Sequence, residues 1–348
     1  SPQSIITCFS KDRLLIFTNL GRVYGLKAWE TPQGSRHSRG THIRNLLENL
    51  QDGEDIVSIL PVSKDLVDEV TEKCLKVKLA EGEKRPPSGY FLLFATKCGL
   101  IKKTDLHEYV RINKNGKFAL KLKTHGPEKW RGDPVEDKLV NVRISTDDSD
   151  IVMISSTAKA SRFACSEITA TSRNTSGVWG IFTSNRETSS RIGDGGKVVG
   201  MVSTNDYDSQ ILTISKNGMA KRSRIGTSEK LPDIDENGVQ KMVINKEGIR
   251  VPKIYTDGYT RTKPGAMGVF TMKLDKQYDD ELVSVRQIPD LKDNLFVLTK
   301  KGMMIRLAVD QTKETSGKST KGTRIMELRS NDKKSHDDEI IFTARLPA

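Results

Sequence analysis

Lysine and arginine recur at matching places along this chain, and a recurring cation is chemistry aimed at an anion. In short strand-like stretches they fall as Arg22 and Lys27, Lys102 and Lys103, Lys159 and Arg162, then Lys221, Arg222 and Arg224, and finally Arg306. In the Gly-bearing loops between those stretches they fall as Arg36 and Arg39, Lys114 and Lys117, Arg173, Arg261 and Lys263, and Lys318 and Lys321. Over the 348 residues, 57 basic against 45 acidic side chains leave a formal charge of +12. A field of that sign favours polyanions, nucleic acid first and an anionic membrane surface second. If the stretches are geometrically equivalent, these positions trace one circumferential stripe. Such a stripe matches a bent phosphate backbone and releases its counterions on contact. The plain alternative is that the same charges only keep strand edges solvated and unaggregated.

Other chemistries find little in the sequence. His37, His42, His107, His125 and His336 show no paired spacing on a helix, so no metal site is expected. No nucleophile elbow, phosphate loop or zinc-protease helix occurs, so no catalytic residue is expected. Asp147-Asp148-Ser149-Asp150 and Asp279-Asp280-Glu281 read as tight turns before strands, and Gly193-Asp194-Gly195-Gly196 as another turn. Cys8, Cys74, Cys98 and Cys165 lack metal-ligand spacing and are expected to be free thiols in a reducing cytosol. Cys8, Cys98 and Cys165 lie in or beside strand-like runs, where a small buried hydrophobe is the usual role. There is no recognition helix or metal finger, and aromatic residues make up 6%. Any DNA binding should therefore tolerate sequence and favour duplexes that bend easily. No apolar stretch is long enough to span a bilayer and no secretory signal opens the chain, so no membrane partner is expected. Ser1-Pro2 opens almost directly onto a strand-like run, as a piece excised from a longer protein would.

The elements that must carry these residues repeat five times. Leu14-Leu15-Ile16-Phe17-Thr18-Asn19-Leu20-Gly21-Arg22-Val23-Tyr24 is the first instance, and its counterparts begin at Phe91, Ile151, Ile211 and Leu295. Each is an apolar strand, a polar turn and a second strand bearing a basic residue. The turn carries Gly21, Gly99, Gly218 or Gly302, and Ala158 in the third unit. A polar loop and a third strand follow, at Arg39–Leu46, Asn115–Leu122, Ser176–Phe182, Gly268–Leu274 and Lys321–Leu328. After an acidic turn comes a fourth strand, as in Ile56–Leu60 and Leu139–Ile144. Short β-branched and aromatic runs bounded by Gly, Asn, Asp and Ser read as strands. Four short strands per unit predict an all-β, propeller-like disc of four-stranded blades. The units run over 13–62, 90–145, 150–204, 210–288 and 294–346, with a leading strand of a sixth at 4–9. Tyr24 and Tyr109 look like packing residues. The segment 62–88 reads as a short helix or a longer hairpin, 225–262 as a loop or extra hairpin at one rim, and 331–338 as a polar turn.

The phrase Phe17-Thr18-Asn19-Leu20-Gly21-Arg22-Val23-Tyr24, followed by Leu26-Lys27, Glu30-Thr31-Pro32, Ser35-Arg36-His37-Ser38-Arg39-Gly40 and Asn45-Leu46-Leu47, resembles one family. It is similar to the C-terminal DNA-wrapping domain of the gyrase A protein of bacterial type IIA topoisomerases. The C-terminal domain of the topoisomerase IV protein ParC is a near relative. The resemblance covers essentially the whole chain. It implies a β-pinwheel, in which blades exchange strands, and double-stranded DNA bent around a basic rim. It implies a non-catalytic module of an ATP-dependent enzyme, which presents DNA to the cleavage core for directional strand passage and negative supercoiling. The implied partners are the gyrase A N-terminal core and the gyrase B subunit. ATP and Mg2+ would act elsewhere in that holoenzyme, with no cofactor in this chain, and the isolated domain would be a monomer. The implied location is the bacterial cytoplasm and nucleoid, or an organelle in a eukaryote. The family's Gln-Arg-Arg-Gly-Gly-Lys-Gly box is absent from this sequence. Two alternatives stay open: a ParC-type domain guiding substrate choice, and a propeller scaffold for acidic protein partners.

Overall fold

The computed structural model describes residues 6–35, 37–47, 49–125, 135–183, 196–275, 279–315, 320–328 and 338–346. Five antiparallel hairpins form the frame: Arg13–Thr18 with Arg22–Lys27, Phe91–Thr96 with Leu100–Asp105, Asp150–Ser155 with Lys159–Ala164, Gln210–Ser215 with Met219–Arg224, and Asn294–Thr299 with Met304–Ala308. Their turns need a residue in the left-handed region. Gly99 sits at φ 104° and Gly302 at 90°, while Ala158 adopts 59° despite its side chain. The acidic residues of the following turn cap these hairpins. Thr18 donates to Glu54 (2.6 Å), the Cys98 amide to Asp137 (2.9 Å) and the Lys301 amide to Asp338 (3.0 Å).

Each hairpin gains a further strand on its first member: Ile56–Val62, Leu139–Ser145, Val198–Thr204, Leu282–Ile288 and Ile340–Leu346. These five strands pack against their counterparts from blade to blade, so they lie nearest the axis. The opposite edge of blades 1 to 4 is closed by a strand borrowed from a later repeat. Lys117–Phe118 closes blade 1, Val178–Trp179 blade 2, Val269–Phe270 blade 3 and Thr323–Arg324 blade 4. The blades therefore exchange strands, and the fold is the all-β, propeller-like pinwheel expected. Blade 5 has three strands among the described residues.

The core is a series of layers between blades. Phe17 meets Phe94 and Tyr109 at ring distances of 5.6 and 6.3 Å. Further layers join Leu93 to Met153, Ile154 to Ile211, and Leu212 to Leu295. Both faces of a middle blade are covered, so Phe91–Thr96 and Asp150–Ser155 are buried along their whole length. Burial on both faces replaces the single large core that such a charged sequence cannot supply.

Three expectations are corrected. Ile6–Phe9 is irregular rather than a leading strand, and Ser4 and Ile5 lie outside the described residues. Arg39–Leu46 is not a strand either. Ile43–Asn45 is a 3-10 turn, and Ile43, Leu46 and Leu47 cover the free face of blade 1 over Leu14, Ile16 and Tyr24. Cys8 is exposed, whereas Cys74, Cys98 and Cys165 are buried, and all four are free. The 62–88 insertion resolves as a helix, Lys64–Val70, capped by Ser63 and prolonged by a π turn at Thr71–Leu75. Val70 and Cys74 from it enter the layer between blades 1 and 2. The 225–262 insertion is a hairpin ribbon, pairing Lys230–Pro232 with Ile254–Thr256 and Met242–Ile244 with Arg250–Pro252. Residues 331–337 and 193–195, on which turns were expected, lie outside the described residues. No helix among the described residues is long and apolar enough to cross a membrane.

Candidate nucleic-acid interface

The outer edge is built by cross-strand register. Where a borrowed strand meets its host, one residue of each stands opposite the other: Arg22 with Phe118, Leu100 with Trp179, Lys159 with Phe270 and Met219 with Arg324. The Arg22 guanidinium lies 5.7 Å from the Phe118 ring and the Lys159 ammonium 5.8 Å from the Phe270 ring. Phe118 and Phe270 are exposed, so each cation rests on an aromatic face that water also reaches. Lys117 stands beside Phe118 and is exposed, as are Lys27, Arg39, Lys263 and Arg306. Lys27 lies 5.6 Å from the exposed Trp29 ring. None of these five forms an ion pair among the described residues. Arg22 lies 3.8 Å from the buried Glu54, and four exposed or half-buried cations are tied to carboxylates: Lys114 to Glu30 (3.4 Å), Arg173 to Glu108 (3.2 Å), Arg224 to Asp208 (2.5 Å) and Lys321 to Asp275 (3.0 Å). Surface pairs of this kind are weak, about 0–1 kcal/mol, so a phosphate can displace the carboxylate.

Five of the expected contact residues face inward. Lys102, Lys103, Arg162, Lys221 and Arg222 are buried, at 0–6% exposure, and cannot reach a duplex. The borrowed strand and the segment leading into it pass over them. Arg162 shows this most fully. It donates to Asp150 from Nε (2.8 Å) and Nη2 (2.6 Å), and from Nη1 to the carbonyls of Ile225 and Tyr259 (both 2.8 Å). Asp150 also accepts from Arg261 (3.0 Å), which comes from the insertion in the fourth repeat. Arg222 donates to the Thr312 carbonyl (2.7 Å), and Lys103 pairs with Asp147. Lys102 donates to the carbonyls of Ala119 and Arg173 (both 2.8 Å), and Lys221 to that of Thr271 (2.5 Å). Burial lowers both of these lysines to about 8. These cations are clasps between consecutive repeats. Arg306 holds the same register as Lys103, Arg162 and Arg222 but is exposed, because no later strand covers blade 5 among the described residues.

Arg36 and Lys318 lie outside the described residues. Of the rest, the edge gathers Arg22, Lys117 and Lys159, while the edge of blade 2 is apolar, with Leu100 and Trp179 in place of a cation. Arg324 was missed. It is exposed at the place Phe118 and Phe270 hold, paired to Glu327 at 2.6 Å. Aligning the third strands by their Gly would have marked it. Among the described residues no three His, Cys, Asp or Glu side chains gather as a metal would need. The acidic turn residues Asp150 and Asp280 instead hold Arg162 and the Asn217 amide.

Strand-swapped blades about an axis, edged with cations seated on aromatic rings, make this a propeller-type domain with a basic rim. The chain belongs to the family described as DNA gyrase C-terminal domain, beta-propeller, which matches residues 12–63, 90–126, 149–205, 209–239, 257–289 and 293–333. It is 30% identical over 323 residues to the DNA gyrase A protein of Deinococcus deserti, covering 92% of this chain and 31% of the relative. It is 28% identical over 327 residues to the corresponding protein of Staphylococcus epidermidis, covering 94% of this chain and 28% of the relative. The chain thus spans less than a third of the length of these relatives. Two solved structures share the fold. The C-terminal domain of DNA topoisomerase IV has a TM-score of 0.65 at 16% identity, covering 97% of this chain and 80% of that one. The DNA gyrase A C-terminal domain has a TM-score of 0.61 at 19% identity, covering 99% and 86%.

Proposed function

We propose that this domain binds duplex DNA along its outer edge, bends it, and presents it to the cleavage core of a gyrase. The observation that carries the reading is the pairing of Arg22 with Phe118 and of Lys159 with Phe270 across the borrowed strands, with Lys27, Arg39, Lys117, Lys263 and Arg306 exposed and in no ion pair among the described residues. Phosphates bound there release counterions, and the gain is spread over the arc. Bending 20–30 base pairs through 40–90° costs about 1–6 kcal/mol, so the contacts must span several blades to offset it. The buried clasps keep the blades in fixed relative position, so the bound segment enters the core with one crossing sense. Directional strand passage and negative supercoiling follow from that handedness. In this reading the gyrase A N-terminal core and the gyrase B subunit supply the strand-cleaving tyrosine, ATP and Mg2+. This chain takes no cofactor, works in the cytoplasm at the nucleoid and is monomeric when isolated. The gyrase assignment is favoured over a topoisomerase IV one by the curated relatives, which are named as gyrase A proteins. End-labelled duplexes of graded length test the proposal by FRET. Long duplexes should bind more tightly than short ones and bring their ends together. Equal affinity at all lengths without end approach would refute wrapping and favour a protein-binding scaffold.

A further inference from the structure

In the fourth repeat, the link between the second and third strands grows into the 225–262 ribbon. In the other repeats the same link carries surface cations: Arg39, Lys114, Arg173 and Lys321. The ribbon leaves the disc after exposed Arg224 and returns to it at exposed Arg261 and Lys263. Arg261 bridges in parallel to Arg162 on the outer hairpin strand of blade 3, so the ribbon is rooted at the basic edge. Its neck is fixed by two glycines. A carbon added to Gly226 would stand 2.5 Å from the Asp257 carbonyl oxygen, and one added to Gly258 would stand 2.0 Å from that of Ile225. Only bare backbone lets the two chains pass so closely. Buried Tyr259, just beyond the neck, bonds Thr271 at 2.7 Å.

Outward from the neck, no residue from 229 to 256 is buried, and no third strand joins either pair of the ribbon among the described residues. The tip is nevertheless preformed. Asn245 Oδ1 accepts from the Glu247 amide (3.0 Å) and the Ile249 amide (2.9 Å), and the Gly248 amide donates to the Asn245 carbonyl (3.1 Å). This turn holds Ile244 and Ile249 in water, 74% and 57% exposed. Ile244 stands opposite Arg250 and shares its face. Successive strand residues point to opposite faces, so Ile249 lies on the other one. Both faces of the tip thus offer an aliphatic side chain. A flat partner surface would cover one face, whereas a groove encloses both. Charge is also sorted along the ribbon. Residues 229–236 hold four acidic side chains against Lys230, and residues 241–253 hold four basic ones against Glu247. Lys241 and Lys253 share Asp233, at 3.1 and 2.6 Å, while Lys246 and Arg250 at the tip are exposed and in no ion pair among the described residues.

We propose that the ribbon is a DNA arm whose tip enters the major groove of the duplex carried on the edge. Lys246 and Arg250 reach the flanking phosphates, and Ile244 and Ile249 lie against thymine methyl groups. The inference rests on the edge-binding reading given above. The major groove is about 12 Å wide and admits a two-stranded ribbon, whereas the minor groove, about 6 Å wide, does not. The thymine methyl is the apolar feature of that groove, and aliphatic side chains are its complement. The unpaired cations at the tip meet phosphate, while the acidic proximal half stays clear of the backbone. Contact with methyl groups leaves binding tolerant of sequence but gives it a bias toward thymine at one place along the wrapped segment.

Fluorescence anisotropy of the 348-residue chain tests this with one duplex made twice, once with thymine and once with uracil, which lacks only the methyl. The parent chain should bind the uracil duplex about fourfold more weakly for each methyl group the arm buries. The variant Ile244→Ser/Ile249→Ser should bind both duplexes alike, and Lys246→Gln/Arg250→Gln should lower the salt slope by about 2. The edge variant Arg39→Glu/Lys117→Glu should bind more weakly yet keep the preference for thymine. Equal binding of both duplexes by the parent overturns the arm and leaves the edge reading standing, and this comparison needs no variant. A preference undiminished in the serine variant, or a salt slope unchanged in the Lys246/Arg250 variant, also overturns the arm. A parent chain that binds neither duplex overturns the arm and the edge reading together. Self-association of the parent in sedimentation runs, abolished in the serine variant, would make the tip an interface between copies and refute its place in the groove.

Discussion

Gly99 and Gly302 hold the same place in the hairpin turns of blades 2 and 5, yet a methyl group added to each should cost different amounts. Both sit at positive φ, 104° and 90°, so either alanine incurs about 1–2 kcal/mol of backbone strain. Around Gly302 nothing lies within 4 Å of the added carbon. At Gly99 it would stand 2.2 Å from the Ile181 carbonyl oxygen, which belongs to the borrowed segment. That segment must move, and with it go the bonds from the Gly180 and Ile181 amides to the Gly99 carbonyl, 2.9 and 3.2 Å long. Each is worth about 1 kcal/mol, so Gly99→Ala should cost about 3–4 kcal/mol in all. With an unfolding entropy near 0.7 kcal/mol per kelvin for a chain of this size, the melting temperature should fall about 5 °C for Gly99→Ala and about 2 °C for Gly302→Ala. Circular dichroism melts give both numbers. Trp179, on the borrowed strand, reports by fluorescence whether the edge detaches first. Equal shifts for the two variants would refute the argument that strand exchange, rather than turn geometry, sets the cost.

Other outcomes are expected. Arg162→Met leaves Asp150 buried without its main partner and should destabilise by about 3–5 kcal/mol in urea titrations; a change under 1 kcal/mol would show that the clasp is dispensable. Lys102 and Lys221 fold with values near 8 against an ordinary 10.5, so the unfolded chain binds more protons between those values and stability should rise with pH across them. Cys98, raised to about 12 by burial, and Cys74 and Cys165, raised by the same cause, work in the opposite direction as the unfolded chain's thiols ionise around pH 9. Between pH 8 and 9 each lysine contributes a gain of about 1 kcal/mol, so the double variant Lys102→Met/Lys221→Met should fall behind the parent by about 2 kcal/mol over that window. Arg39→Glu/Lys117→Glu should lower the salt slope of duplex binding by about 2, whereas Lys102→Gln should leave it unchanged; an unchanged slope in the first variant would remove those residues from the DNA path.

The hairpins, the acidic turns and the blade periodicity were all legible, because each is written in neighbouring residues. Which cations face water was not. Alternation assigns successive strand residues to opposite faces, so one of Lys102 and Lys103 should have been exposed. Both are buried, because another blade packs on one face and the borrowed segment roofs the other. That roof comes from a distant part of the sequence, so nothing local announces it. Arg39–Leu46 failed for a related reason. Its pattern matches strands that join the preceding blade, but here it folds back over the apolar face of its own.

Because every lent strand travels from a later repeat to an earlier one, a ribosome making this chain completes each sheet one repeat late. Blade 1 emerges with its edge bare and waits for Lys117–Phe118, and blade 3 waits through the whole 225–262 hairpin for Val269–Phe270. During synthesis the nascent domain thus always trails one unpaired ridge of amides and carbonyls, open to mispairing with another nascent chain. Shortening the 225–262 segment would bring the closing strand of blade 3 out of the exit tunnel sooner, at the site where the wait is longest.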